Sequence, residues 1–135
     1  MSMQKNIAQL FSDCLPAESI LATKETLRPY ECDALTAYKT LPMAVLLPDS
    51  QQQVVDIVKR CHKENIPIVT RGAGTGLSGG ANPISNGILL NLAKLNAIHE
   101  INPDQQYARV GPGVRNLAIS EAVSQYGLYL SLIHI

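Results

Sequence analysis

An α+β fold is predicted by three local patterns in the chain. A capped amphipathic segment lies between a continuous apolar run and an apolar, β-branched one. A glycine-rich loop joins one strand directly to the next. Two alternating segments flank a turn at Asn102-Pro103-Asp104. These patterns predict, in order, a βαβ unit, a strand–glycine loop–strand and an antiparallel hairpin.

At the N-terminus, Ile7, Leu10 and Phe11 can share one apolar stripe before Pro16, and a second short helix is expected near Ala17. Thr26 to Thr40 has little periodicity and reads as an irregular connection. Met43 to Leu47 is a continuous apolar run suited to a strand buried on both faces, and Pro48-Asp49-Ser50 ends it. Ser50 is placed to cap the next helix, with Gln53 completing a capping box. Val54, Val55, Ile57, Val58 and Cys61 then give that helix an apolar face, while Lys59, Arg60, His62, Lys63 and Glu64 read as solvated charge. Asn65 closes the helix, and Ile66 to Thr70 is the next strand. A strand, helix and strand at this spacing form a crossover unit, so the following loop leaves the C-terminal end of a parallel strand, where open sheets bind ligands.

Beyond the loop, Ile88 to Leu92 is a further strand. Ala97 to Ile101 and Tyr107 to Val110 are the arms of the hairpin. Gly111-Pro112-Gly113 breaks the second arm. Val114, Leu117, Ala118 and Ala122 follow helical spacing, and Gly127 suits a helix C-terminus.

Composition excludes several function classes. Eleven basic residues balance 11 acidic ones in 135, so no electrostatic case exists for nucleic acid or an anionic membrane. No apolar run reaches the roughly 18 residues of a membrane span, and Met1 to Phe11 does not read as a signal peptide. A cytoplasmic location is expected. Cys14, Cys32 and Cys61 are odd in number and widely spaced, which argues against a disulfide framework or zinc site. Cys61 reads as a buried small hydrophobe. His62, His99 and His134 lack ligand spacing, so no metal site is expected, and each reads as a solvated histidine.

The chemistry lies in Arg71-Gly72-Ala73-Gly74-Thr75-Gly76-Leu77-Ser78-Gly79-Gly80. Five of these ten residues are glycine and none is proline, so each offers a backbone N–H. Successive amides in such a loop can form an anion-binding nest. Thr75 and Ser78 add hydroxyls, and Arg71 adds a charge suited to phosphate. A plain turn needs only one or two glycines. The G-x-G-x-x-G pattern at Gly74 to Gly79 suggests a dinucleotide fold, which requires a helix after the loop and an acid roughly 20 positions on. Here Ala81-Asn82-Pro83-Ile84-Ser85-Asn86-Gly87 leaves no room for the helix, and Lys94 stands near the place of the acid. A nicotinamide dehydrogenase is therefore disfavoured. The Walker pattern also fails, because no Lys-Ser or Lys-Thr pair closes the loop.

The loop resembles the pyrophosphate loop of FAD-linked oxidases of the vanillyl-alcohol oxidase / p-cresol methylhydroxylase type. Three further stretches, Arg28 to Tyr38, Ala44 to Pro48 and Val110 to Ala118, are similar to the flavin-carrying glycolate oxidase branch of that family, and the likeness runs over about residues 25 to 129. The resemblance implies the N-terminal part of a p-cresol methylhydroxylase-type FAD-binding domain. Residues 1–40 would be N-terminal helices and an irregular connection, 41–129 the first part of the FAD domain, and 130–135 a divergent end of a truncated chain.

The resemblance also implies that Gly72, Ala73, Gly74, Thr75, Gly76, Leu77, Ser78, Gly79 and Gly80 hold the pyrophosphate with Arg71. Pro48 would lie near the adenine, and Gly111, Pro112, Gly113 and Val114 would pass close to the flavin. Thr75 stands where some relatives carry a flavin-linked histidine, so FAD would be non-covalent. No catalytic base is expected in this chain, and Asp33 and Tyr38 are assigned structural or peripheral roles. The implied activity is dehydrogenation of a 2-hydroxy acid, with D-lactate dehydrogenase-type chemistry or a non-catalytic nucleotide-binding role as alternatives. Implied partners are the small-molecule acid and other oxidase subunits, including an iron–sulfur protein, which could hold the enzyme at the inner membrane.

Overall fold

The computed structural model describes residues 7–131. Residues 7–10 are helical (α1). There follow β1 (Ile20–Leu21), α2 (Lys24–Leu27), β2 (Ala44–Leu46), α3 (Gln51–Lys63), β3 (Ile68–Arg71), β4 (Ile88–Asn91), β5 (Ile98–Asn102), β6 (Tyr107–Val110) and α4 (Asn116–Val123). Short 3₁₀ turns occupy Ala17–Ser19, Arg28–Tyr30 and Ser124–Tyr126. The stretch read from sequence as irregular thus begins with α2 and a helical turn. Thr23 caps α2 through a reciprocal bond pair with Thr26.

The larger sheet has the order β1-β2-β4-β3. β4 is parallel to both β2 and β3, and β1 is antiparallel to β2. The βαβ unit exists, but its two strands are not neighbours, because β4 inserts between them. Burial explains why. Every residue of β2 and of Ile88–Asn91 is buried, and apolar side chains alternate between two cores. Ala44, Leu46, Ile88 and Leu90 pack with Phe11, Leu15, Ile57 and Cys61 on one face. Val45 and Leu89 pack with Leu27 on the other. The two strands buried on both faces, β2 and β4, take the two inner positions.

Ser50 Oγ accepts from Gln53 N, as expected of an N-cap. The Gln53 side chain, however, accepts from Asp49 N, one residue outside the box. Ile57 and Cys61 face the core one turn apart, while Val55 and Val58 are 37% and 44% exposed. The apolar face is therefore narrower than the pattern suggested. Asn65, with φ 53°, ends the helix. β5 and β6 form the hairpin, with a register shift between Ile98 and Glu100. In α4, Ile119 and Val123 line a groove against the hairpin, and Leu117, expected on the apolar face, is 67% exposed. Gly127, with φ 71°, follows the last helical turn as predicted. His62 and His99 are exposed. His134 and residues 132–135 of the divergent end lie outside the described residues.

Candidate functional site

The parallel strands β2, β3 and β4 end on one edge of the sheet, and the segments that follow them build the site. β3 ends at Arg71, and residues 72–87 reach β4 with no intervening helix or strand. The loop is thus the connection between two adjacent parallel strands. Gly74 and Gly79 have φ values of 70° and 74°, a backbone conformation that favours glycine. Among the described residues, no protein acceptor takes a backbone N–H from residues 73–80. Buried backbone donors are almost always partnered within a folded protein, whereas exposed ones such as these are left to water or to a ligand. Here a row of them is open around a cavity of about 430 Å³ lined by most of the loop together with Thr70, Ala81 and Asp33. Thr75 to Ser78 are exposed, so a ligand can reach them.

Arg71 does not project freely into this cavity. Its Nη1 donates to the Cys32 carbonyl at 2.6 Å, and its guanidinium lies 5.7 Å from the centre of the Tyr30 ring. It also fills the space beside Gly74, where a Cβ would collide with it. The side chain therefore braces the start of the loop against the Cys32 carbonyl and the Tyr30 ring. At the loop's far end, Asp33 N donates to Asn82 Oδ1 at 2.7 Å, and Ala81 N donates to Asp33 Oδ2 at 3.4 Å. Asp33 Oδ1 accepts from Leu35 N at 2.8 Å. Asp33 is only 4% exposed, in keeping with its expected structural role, whereas Tyr38 is 69% exposed.

Gly111, Pro112 and Gly113 lie against the chain that leaves β4. Gly111 N donates to Ala97 O at 2.8 Å and Gly113 N to Leu95 O at 2.9 Å. A Cβ on either glycine would strike the backbone of Leu95 or of Leu92 and Ala93. The glycines thus permit a close approach of two chain segments. The Pro112 carbonyl is also 3.7 Å from where a Gly72 Cβ would sit, so this turn borders the start of the glycine loop. Pro48 is fully buried at the end of β2. The next residues, Asp49 and Ser50, line a second cavity of about 470 Å³ together with Lys94, Gly111 and Pro112. The structure therefore brings the surroundings of Pro48 and the Gly111–Pro112 turn onto one cavity, next to the loop. Lys94, which sequence reading left without a role, donates to the buried Ser19 Oγ at 2.9 Å at the margin of that cavity.

Other chemistry is sparse. Among the described residues, no group of three or more His, Cys, Asp or Glu side chains could hold a metal, and no helix is long and apolar enough to cross a membrane. Cys61 is buried as expected, and burial pushes its thiol up to about 11.

The sequence model of the FAD binding domain family matches residues 42–133. Glycolate oxidase subunit GlcD of Escherichia coli K12 is 54% identical over 115 residues, which cover 85% of this chain and 23% of that protein. The D-lactate dehydrogenase of Archaeoglobus fulgidus is 37% identical over 84 residues, covering 62% of this chain and 19% of the other. Among solved structures, p-cresol methylhydroxylase with substrate bound superposes with a TM-score of 0.77 at 28% identity, over 95% of this chain and 26% of that one. The chain thus spans about a quarter of the length of these proteins. The open amides between two parallel strands, the family match and the 54% identical relative agree: the chain belongs to the FAD binding domain family, with the p-cresol methylhydroxylase-type fold and FAD as the cofactor.

Proposed function

We propose that this chain supplies the pyrophosphate-holding part of a flavin-dependent 2-hydroxy-acid dehydrogenase of the glycolate oxidase GlcD type. The observation that carries the reading is the row of unpartnered amides at residues 73–80. The FAD pyrophosphate would accept from the amides of Gly72 to Gly80, with Thr75 and Ser78 as added donors. The adenosine half would lie by Pro48 and Ser50 on one side of the neighbouring cavity, and Gly111, Pro112, Gly113 and Val114 would pass close to the flavin. Thr75 offers no imidazole, so no histidyl link to the flavin forms at this position, and the reading is of non-covalent FAD.

When bound, FAD accepts the hydride of the oxidation. The residues of this chain bind and orient it, and none of them is offered as the base for the substrate hydroxyl. The 2-hydroxy acid, and any partner subunits such as an iron–sulfur protein, belong to the whole enzyme. A D-lactate dehydrogenase-type segment is the second reading, favoured by the 37% identical relative of that name.

The test is to titrate ¹⁵N-labelled chain with FAD at millimolar concentration, with riboflavin as the phosphate-free control. The amides of residues 72–80 should shift with FAD and not with riboflavin. No shift in the loop, or equal shifts with both ligands, would overturn the reading.

A further inference from the structure

We infer that Asp33 and Asn82 form a latch that holds the glycine loop in its binding shape. Asp33 is a positioning residue for the cofactor, acting from outside the segment matched by the family model, which begins at residue 42. The inference rests on the function proposed above.

A loop of this length, in which no amide of residues 73–80 is donated to the protein and the one backbone bond is from Asn82 N to Gly79 O at 3.1 Å, cannot by itself fix the direction of those amides. Any ordering left to the moment of binding is subtracted from affinity. The loop must therefore be fixed at its ends. One end is fixed by Arg71, anchored to the Cys32 carbonyl. The other is fixed one residue along the same N-terminal segment. There the Asp33 amide donates to Asn82 Oδ1, while its carboxylate accepts from Ala81 N and Leu35 N.

The two partners are 49 residues apart in sequence, and Asp33 is 4% exposed, so the latch ties the loop to the body of the domain and is shielded from water. Asn82 also reaches back toward the loop, since its Nδ2 would lie 3.5 Å from a Cβ on Gly79. A buried carboxylate bordering an anion site would repel the ligand if it faced it freely. Here both of its oxygens are engaged by backbone N–H groups, so its charge serves to hold the loop.

The experiment compares wild type, Asp33→Ala, Asp33→Asn and Asn82→Ala, each as the full chain. FAD affinity is read from the ¹⁵N titration and from the ³¹P shift of the FAD pyrophosphate, and thermal midpoints are recorded alongside. Asp33→Ala should raise the dissociation constant by about tenfold or more, the scale of losing hydrogen bonds to a charged group. Asp33→Asn keeps one acceptor oxygen for Leu35 N and should fall between Ala and wild type. Asn82→Ala, which leaves Asp33 intact, should weaken FAD with a small change in midpoint, so the idea is tested even if Asp33→Ala does not fold. Unchanged FAD affinity in Asn82→Ala and Asp33→Asn would overturn the latch. So would tighter binding by Asp33→Asn, because the carboxylate would then act on the anion through its charge. Failure of the wild-type chain to show any loop shift with FAD would instead overturn the functional reading.

Discussion

Gly74→Ala, set against Gly76→Ala, is the sharpest test of the loop geometry. Gly74 sits at φ 70°. An L-residue there costs about 1–2 kcal/mol. The new Cβ would also enter the space of the Arg71 guanidinium, which must swing away. That movement breaks the 2.6 Å bond to the Cys32 carbonyl and the contact with Tyr30. A hydrogen bond from a charged donor contributes about 1.5–3 kcal/mol, and a partly exposed cation on an aromatic face about 0.5–1. Arg71 is only partly buried and water replaces some of what is lost, so the lower ends of these ranges apply. They come to about 3 kcal/mol. For a domain of this size that is a fall in thermal midpoint of about 12 °C. Gly76 has no atom within 4 Å of where a Cβ would sit and no positive φ, so Gly76→Ala should stay within about 0.5 kcal/mol of wild type. The assay is urea unfolding of both variants, followed by far-UV circular dichroism. Equal midpoints for the two would refute the placement of Arg71 against Gly74.

Three further outcomes are expected. Leu89→Ala, at a fully buried position on the central strand β4, should lose about 2–5 kcal/mol in urea unfolding with an unchanged m-value. A loss under about 1 kcal/mol, by the same scale, would show that β4 is not central. The Cys61 thiol is raised by burial from its ordinary 9.0 to about 11, so the folded state favours its protonated form. The stability this supplies is full below about pH 9 and is lost as pH rises toward about 11, so wild type should lose stability more steeply than Cys61→Ala across that window in urea midpoints. Acid precipitation of FAD-loaded protein should leave all flavin in the supernatant. Yellow colour in the pellet would contradict non-covalent binding at Thr75.

The local elements were largely legible because each rests on short-range chemistry. Ser50 caps α3, Asn65 and Gly127 end helices with left-handed backbone, and Pro83 with Gly87 keeps the glycine loop free of helix. The partners of those elements were not legible. Nothing near Ile88 says that its strand inserts between β2 and β3; that follows from burying both of its faces at once. The face of α4 was misjudged because Leu117 and Ile119 both fit helical spacing, and only the position of the hairpin selects Ile119 and Val123. In the site, the glycine run announced its own amides. The braces around it stayed hidden, because Asp33 to Asn82 and Lys94 to Ser19 are contacts across 49 and 75 residues with no local signature.

The absence of a helix between β3 and β4 has a consequence for how this chain meets a protease. Residues 75–78 form an exposed tip, with Leu77 75% accessible to solvent. Exposed loop tips of small residues are where proteases first nick a folded chain. A bound pyrophosphate would cover that tip with the cofactor itself. On the proposed binding mode, FAD should slow cleavage at Leu77 in limited proteolysis of this chain, so the nick would report cofactor at the loop without any global unfolding.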